Sequence, residues 1–559
     1  MRFPLKPKKK TREAGRRIVM DRALWILVGA GVTALLANFI FYASYPINVG
    51  QSDNRTFMSM IISGRSNLMH APGYPAILHF LAYKILAILP PVASLNQLPS
   101  KDWFDTLQSF QILAHLALFS ISIFLCAKAF SKSTAAILAL GWGCNVLFIS
   151  NVDAVAPEWL QGHALILSVL LHAHARKLDA RWKIPVYCLA AVVFGFAYLI
   201  KFNSLLFAIA LVAFLVFDKE SWRFKAAQLA ASASLFLVVI WTYVHFFHFE
   251  STGTRQLNFD HAWVMTAALP EDYESASPER LGLNSLRWAV LVRATPPEYF
   301  MAGGIDDIRY GAPPEMRPPY EKKLEYVLNM SREDLVQYVK GHPLPSGYSH
   351  WTAAVPLYFF YGLKRMDDLG IDVYLESLRS HSRYHLRKIV RSLATFFVSG
   401  LKGIQTFPTF ADPIGYRFLP PDFSFSLLGQ SRLVPPPDTP NLFFLEYFNP
   451  ELTVSFYGVK LVGLLNRISS ASLVYLALNI ISLVGLFKLK STLERITAFA
   501  LLAALLAFIS ASGILLGLRQ KEIIALTPTY FLLVSIGLPS MAGGIKKFAG
   551  TLISQRLAN

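Results

Sequence analysis

The sequence predicts an all-α polytopic membrane protein with about ten transmembrane helices, outer-face interfacial helices and a mixed extracytoplasmic domain. Three observations lead to that class. Of 559 residues, 54% are hydrophobic and only 16% are charged, whereas a soluble domain carries about 25% charged residues. Apolar runs recur at the length needed to cross about 30 Å of hydrocarbon. The basic residues behind the net charge of +18 flank those runs, which is the positive-inside pattern and not that of a nucleic-acid surface.

The elements follow in chain order. Residues 1–22 form a basic cytoplasmic tail with nine cations, Arg2, Lys6, Lys8, Lys9, Lys10, Arg12, Arg16, Arg17 and Arg22. The run Ala23–Tyr45 is too long for a signal-peptide core and no small-residue cleavage site follows it, so it is expected to stay as the first span. Further spans are expected near 107–127, 133–151, 158–175, 184–200, 204–217, 226–247, 470–488, 496–516 and 523–541. Together they give a transmembrane module over 23–247, C-terminal transmembrane helices over 470–541 and a cytoplasmic tail over 542–559. With ten spans the cytoplasmic segments hold 24 of the loop cations and the short outer loops hold three, Lys201, Arg519 and Lys521. That asymmetry places both termini in the cytoplasm, and a bacterial inner membrane is the expected location.

Tyr74–Val92, within the first outer loop 46–106, is apolar enough to span but carries His79 and Lys84 and ends in Pro90-Pro91. Counting it as a span would invert most later loops, so an interfacial or re-entrant helix on the outer face is expected. The runs 184–200 and 204–217 would make one helix of about 51 Å at 1.5 Å per residue. A tight hairpin with Lys201-Phe202-Asn203-Ser204 at its outer tip fits better. Residues 248–469 are Pro-rich, lack a span and form the extracytoplasmic domain, with Ile389–Leu401 and Thr453–Leu465 as amphipathic helices on the membrane surface. Cys126, Cys144 and Cys188 lie in apolar runs without metal-ligand spacing and read as core residues. No metal and no cofactor are expected.

Candidate chemistry gathers on the outer face. Asp53 stands about eight residues past the first span, ahead of a turn pinned by Pro72, Gly73 and Pro75. A carboxylate there can act as a general base on an acceptor hydroxyl; a solvated loop aspartate is the plain alternative. Asp153 and Glu158 join the third and fourth spans. Glu158 in a first helical turn is favoured by the helix dipole alone, and it can equally hydrogen-bond a sugar hydroxyl. Lys201 either snorkels to the interface or meets a phosphate as a point charge. Arg519 and Lys521 place two more cations on a face where positive-inside statistics disfavour them, which points to a bound anion. His70, Tyr74, Lys84 and Asn203 complete the candidate substrate-binding set.

The chain resembles membrane-embedded glycosyltransferases of the GT-C fold, in the group of protein O-mannosyltransferases and lipid A aminoarabinose transferases. The likeness rests on Asp53 in the first outer loop, the run from Gly64 to Pro75 ending in Pro-Gly-Tyr-Pro, and the Pro157-Glu158 opening of the fourth span. The Lys201-Phe202-Asn203 tip and Arg519 before a Pro-containing last span continue it. The resemblance implies a polyprenyl-phosphate sugar donor, inversion at the anomeric carbon and a glycolipid, glycan or protein acceptor. It also implies Asp53 as general base, Glu158 in support, and Lys201 and Arg519 on the donor phosphate. Two positions depart from the pattern: Asn54 stands where many relatives have a second acidic residue, and Lys201 where many have arginine. Asn54 weakens metal assistance, and a lysine lacks bidentate phosphate geometry. A transporter or flippase, or an assembly scaffold, is the alternative class. A transporter should carry repeated halves with polar breaks at mid-membrane, and no repeat is present.

Overall fold

A computed structural model describes residues 10–44, 54–65, 73–92, 100–152, 154–217, 220–249, 265–266, 268–270, 273, 277–295, 317–345, 348, 357, 361, 363–397, 417–418, 430–434, 452–455, 461, 464–465, 472–515 and 522–540. The all-α polytopic class holds. The N-terminal half consists of α1 (Lys10–Ser44), α2 (Asn54–Ser63), α3 (Gly73–Leu78, continued as a π-helix to Ile85), α4 (Lys101–Ala129), α5 (Lys132–Gly143), α6 (Val146–Val152), α7 (Glu158–Ala175), α8 (Ala180–Ile200), α9 (Ala208–Val216) and α10 (Trp222–Tyr243). Next come α11 (Leu283–Ala294), α12 (Arg317–Asn329), α13 (Arg332–Gly341), α14 (Leu363–Ser380) and α15 (Ser382–Phe397). The C-terminal helices are α16 (Ser472–Phe487) and α17 (Thr492–Leu515), then α18 (Glu522–Ser540).

All ten expected spans fall on helices, but they are not ten equal crossings. Among the described residues six helices are long and apolar enough to cross a membrane: Arg22–Tyr42, Asp102–Ala129, Arg181–Ile200, Trp222–His248, Thr492–Leu515 and Glu522–Ser540. The expected span 133–151 is instead α5 and α6, bent by 67° at the break. Ser131 caps α5 through its hydroxyl, which accepts from the Thr134 N–H. Asn145 then starts α6 by accepting from the Phe148 N–H. The stretch after Gly73 is helical only to Ile85, about 20 Å at 1.5 Å per residue. That is too short to span, in line with the interfacial or re-entrant reading.

The expected tight hairpin is corrected. Lys201 does form the tip, but α8 packs between α7 and α10 while α9 packs on α17. The six residues Phe202–Phe207 form a 3₁₀ segment about 12 Å long at 2.0 Å per residue, enough to carry the chain sideways to a new partner. The Thr453 end of the second amphipathic helix is also corrected. Leu452–Ser455 is strand β3, paired antiparallel with β2 (Gln430–Val434), which pairs with β1 (Arg417–Phe418). The alternation Leu-Thr-Val-Ser suits a strand, with two β-branched residues at its centre.

Two apolar cores result. One fills the bundle and runs from Ala34 and Leu107 through Trp142, Leu165, Ala197 and Phe214 to Phe508 and Leu532. The other is built by α11, α12, α13 and α14 around Leu286, Trp288, Leu324, Leu335, Met366 and Val373. The two ends of the bundle differ in charge. At one end Lys177 donates to Lys128 O, Arg176 to Phe217 O and Lys225 to Val216 O, so cations cover the carbonyls where helices finish. The opposite end carries the candidate site.

A buried carboxylate and lysine cluster at one end of the bundle

Glu158 opens α7, and its side chain is 2% exposed. The chain reaches it through a turn in which the Asn151 side chain accepts from the Trp159 N–H at 3.0 Å. Asn151 therefore supplies the cap that Pro157, at the N-cap position, cannot. Across from it, Lys201 ends α8 with extended backbone. Ser204 donates to Ala197 O, fixing the turn that aims Lys201 inward. The Lys201 ammonium lies 2.9 Å from Glu158 Oε1 and 3.9 Å from Glu522 Oε1, the first residue of α18. One ammonium thus serves two carboxyl groups on different helices. Among the described residues Glu158 Oε2 is buried without a hydrogen-bond partner, an arrangement that costs free energy unless a donor arrives.

Asn203 is drawn into the same cluster. Gln161, one helical turn after Glu158, donates through Nε2 to Asn203 Oδ1 and to Ser204 Oγ, both at 2.8 Å. The Gln161 carbonyl oxygen is buried and has no partner among the described residues. Gly162, on the next turn, lies so close to α18 that a Cβ would stand 3.1 Å from Ala525 O. That approach brings Glu522 within reach of Lys201.

Tyr74 arrives from the first loop. A Cβ on Gly73 would fall 2.5 Å from Ile200 N, so only glycine lets α3 sit directly on the end of α8. The expected turn is here the first turn of a helix, where Pro75 lies early enough to be tolerated. The Tyr74 hydroxyl donates to Gln111 Oε1 at 2.5 Å, and Gln111 Nε2 donates to Val152 O and Ala154 O. Burial, and after it the charge of Glu158, push the Tyr74 phenol well above its ordinary value. It remains a donor at every physiological pH. Gly64, with φ +66°, ends α2 in the left-handed conformation that favours glycine, and the His79 ring beside it bonds Ile61 O at 2.7 Å. These contacts tie α2 to α3.

Four sequence-predicted residues therefore meet: Tyr74, Glu158, Lys201 and Asn203. Lys84 is exposed beside Phe80 and Ile85 on the π-helix, apart from this cluster. Asp53, His70, Asp153, Arg519 and Lys521 lie outside the described residues. Sequence reading missed Gln111 and Gln161, although polar side chains within apolar runs were the available signal, and it missed Glu522, which directly precedes the last expected span. It also missed a buried chain deeper in the bundle. Asn38 Nδ2 donates to Ala34 O and Gly143 O, so Asn38 Oδ1 is left to accept from His115 Nε2 at 3.0 Å. His115 Nδ1 then accepts from His163 Nε2 at 2.8 Å, and His163 Nδ1 has no partner among the described residues. This chain joins α1, α4, α5 and α7 beneath the site, as interhelical hydrogen bonds do where lipid supplies no hydrophobic drive.

Comparison of the sequence with curated proteins found no match. Among solved structures the chain is similar to the archaeal oligosaccharyltransferase AglB from Archaeoglobus fulgidus, in complex with an inhibitory peptide and a dolichol-phosphate. That similarity has a TM-score of 0.37 and 10% identity, covering 90% of this chain and 50% of the archaeal one. This chain thus spans half the length of that protein. It is also similar to ArnT from Cupriavidus metallidurans in the apo state (TM-score 0.30, 10% identity) and bound to undecaprenyl phosphate (TM-score 0.30, 12% identity). Each covers 92% of this chain and 78% of ArnT. Residues 105–244 match the family model described as dolichyl-phosphate-mannose-protein mannosyltransferase. The stretch that supplies Gln111, Glu158, Gln161, Lys201 and Asn203 is therefore the part of this chain that is similar to that family.

Proposed function

We propose that the chain is a GT-C membrane glycosyltransferase that moves a single sugar from a polyprenyl-phosphate donor to a glycolipid, glycan or protein acceptor, with inversion. The observation that carries this reading is the convergence of Tyr74, Glu158, Lys201 and Asn203 at one end of the bundle, inside or beside the stretch that matches the family model. In this reading Asp53 takes the proton from the acceptor hydroxyl as that oxygen bonds to the anomeric carbon. The bond from that carbon to the phosphate oxygen breaks, and polyprenyl phosphate leaves. Arg519 and Lys521 stabilise the departing phosphate, and Lys201, already engaged by Glu158, contributes its remaining N–H donors. The acceptor atoms of Glu158 and Gln161 that have no partner among the described residues suit sugar hydroxyls. The basic end of the bundle faces the cytoplasm and the site faces the periplasm of a bacterial inner membrane.

The test is sugar transfer by the purified full chain with a panel of polyprenyl-phosphate sugars. Asp53→Asn should lower turnover by roughly 10²–10⁴-fold, the contribution of a general base. Wild-type turnover in that variant removes Asp53 as the base. No transfer by the wild type from any donor removes the transferase reading.

A further inference from the structure

The helix α15, SRYHLRKIVRSLATFF, has two unlike faces. Its buried face carries His385, Ser392 and Phe396. Lys388 donates to Leu515 O at the end of α17 and to Ala268 O at 3.3 Å. Ser392 and Ile389 stand against Gly513, Phe396 meets the Tyr530 ring edge-on, and Asn479 Nδ2 donates to Phe397 O. The helix therefore enters the bundle beside the finishing end of α17 and does not lie flat on the surface, as the sequence led us to expect.

These contacts also set its depth. With 24 residues, α17 is about 36 Å long, a few ångströms more than the hydrocarbon core. Its Leu515 end thus stands near the boundary between acyl chains and headgroups, and Lys388 is level with it. On the opposite face of α15, Arg383, Arg387 and Arg391 are exposed at i, i+4 and i+8, one row spread over about 12 Å. None of the three has an ion-pair partner among the described residues. Beside them Leu386 and Val390 are 60% and 58% exposed. Water suits the arginines and not this apolar pair; a protein core suits the reverse.

We propose that this face binds the anionic headgroups of phospholipids in the leaflet at the Leu515 end of α17. Guanidinium groups match phosphate oxygens in a two-pronged geometry, Leu386 sits at the boundary, Val390 enters the upper acyl region, and Arg391, the deepest of the three, extends upward to the phosphates. The inference does not depend on the transferase reading.

The test uses the full chain in nanodiscs containing headgroup-photoactivatable phosphatidylglycerol or phosphatidylcholine, followed by peptide mapping. Phosphatidylglycerol should label residues 382–397 several-fold more than phosphatidylcholine does. R383Q/R387Q/R391Q should lower phosphatidylglycerol labelling several-fold, to the level seen with phosphatidylcholine, because the surface attraction of these basic residues to anionic lipid is removed. The charge-retaining lysine triple should keep most of the labelling, and Arg365→Gln, which alters an exposed arginine elsewhere, should change nothing. Equal labelling by the two lipids, or a glutamine triple that labels like the wild type, overturns the proposal. So does a segment shielded from both lipids by a co-purifying protein.

Discussion

Replacing Lys201 by methionine keeps most of the side-chain volume and removes the ammonium that Glu158 and Glu522 share. Its partner distances are 2.9 and 3.9 Å, and the two carboxyl groups are 2% and 4% exposed. Truncating one partner of a buried ion pair typically costs 3–5 kcal/mol, because the other charge is left without compensation. The Lys201 side chain is itself 20% exposed, so water replaces part of what is lost. We expect about 3 kcal/mol, the lower end of that range. Glu158→Gln in the Lys201→Met background should recover much of the loss, since an amide carries no charge to strand. The assay is denaturant unfolding of the four proteins of this double-mutant cycle in mixed micelles. Contacting residues should show a coupling energy of at least about 0.5 kcal/mol. Additive single effects, or a Lys201→Met protein as stable as the wild type, would refute the electrostatic account of the cluster.

Gly73→Ala should destabilise by about 1–3 kcal/mol, as overpacking does, because the new Cβ meets the Ile200 and Leu199 backbone at 2.5 Å. Gly29→Ala, with nothing within 4 Å of its Cβ, is the control for the same unfolding measurement and should cost nothing. Asn38→Leu removes the acceptor of the His115 Nε2–H and should cost about 1–3 kcal/mol for a buried unsatisfied donor; a change within the error of the unfolding curve counts against the chain of bonds. For Tyr74, whose phenol is held above its ordinary value by burial, the folded state binds the proton more tightly than the unfolded state. Its contribution to stability is whole below about pH 10 and is lost as pH rises toward the folded value. Tyr74→Phe should flatten that alkaline loss in unfolding curves taken from pH 9 to 11.

The site was partly legible in the sequence because three of its four assembled residues lie at segment boundaries. Glu158 and Lys201 each mark an end of an apolar run, Asn203 belongs to the tip after Lys201, and a charge at a boundary is easy to see. Tyr74 stands out in the sequence by its Pro-Gly-Tyr-Pro setting, although the structure makes that run a helix start. Glu522 gives no such sign, because Arg519 and Lys521 beside it make the segment read as cationic. Gln111, Gln161, His115 and His163 sit inside apolar runs, where a single polar residue gives no sign of its partner. Asn38 and His115 are 77 residues apart and meet through a 3.0 Å contact; no local pattern encodes that separation.

By itself the sequence determined the class of protein, the position of its apolar helices and the end at which basic residues collect. Those properties follow from transfer free energy and charge, which are summed residue by residue along the chain. Only the tertiary structure decided that 133–151 bends into two helices and that α8 and α9 part company. It alone seated α15 in the bundle and placed one lysine between carboxyl groups from α7 and α18. These outcomes depend on which helix faces which, and that is fixed by close approaches such as Gly73 on Ile200 and Gly162 on Ala525. A missing Cβ matters only when another backbone lies opposite it.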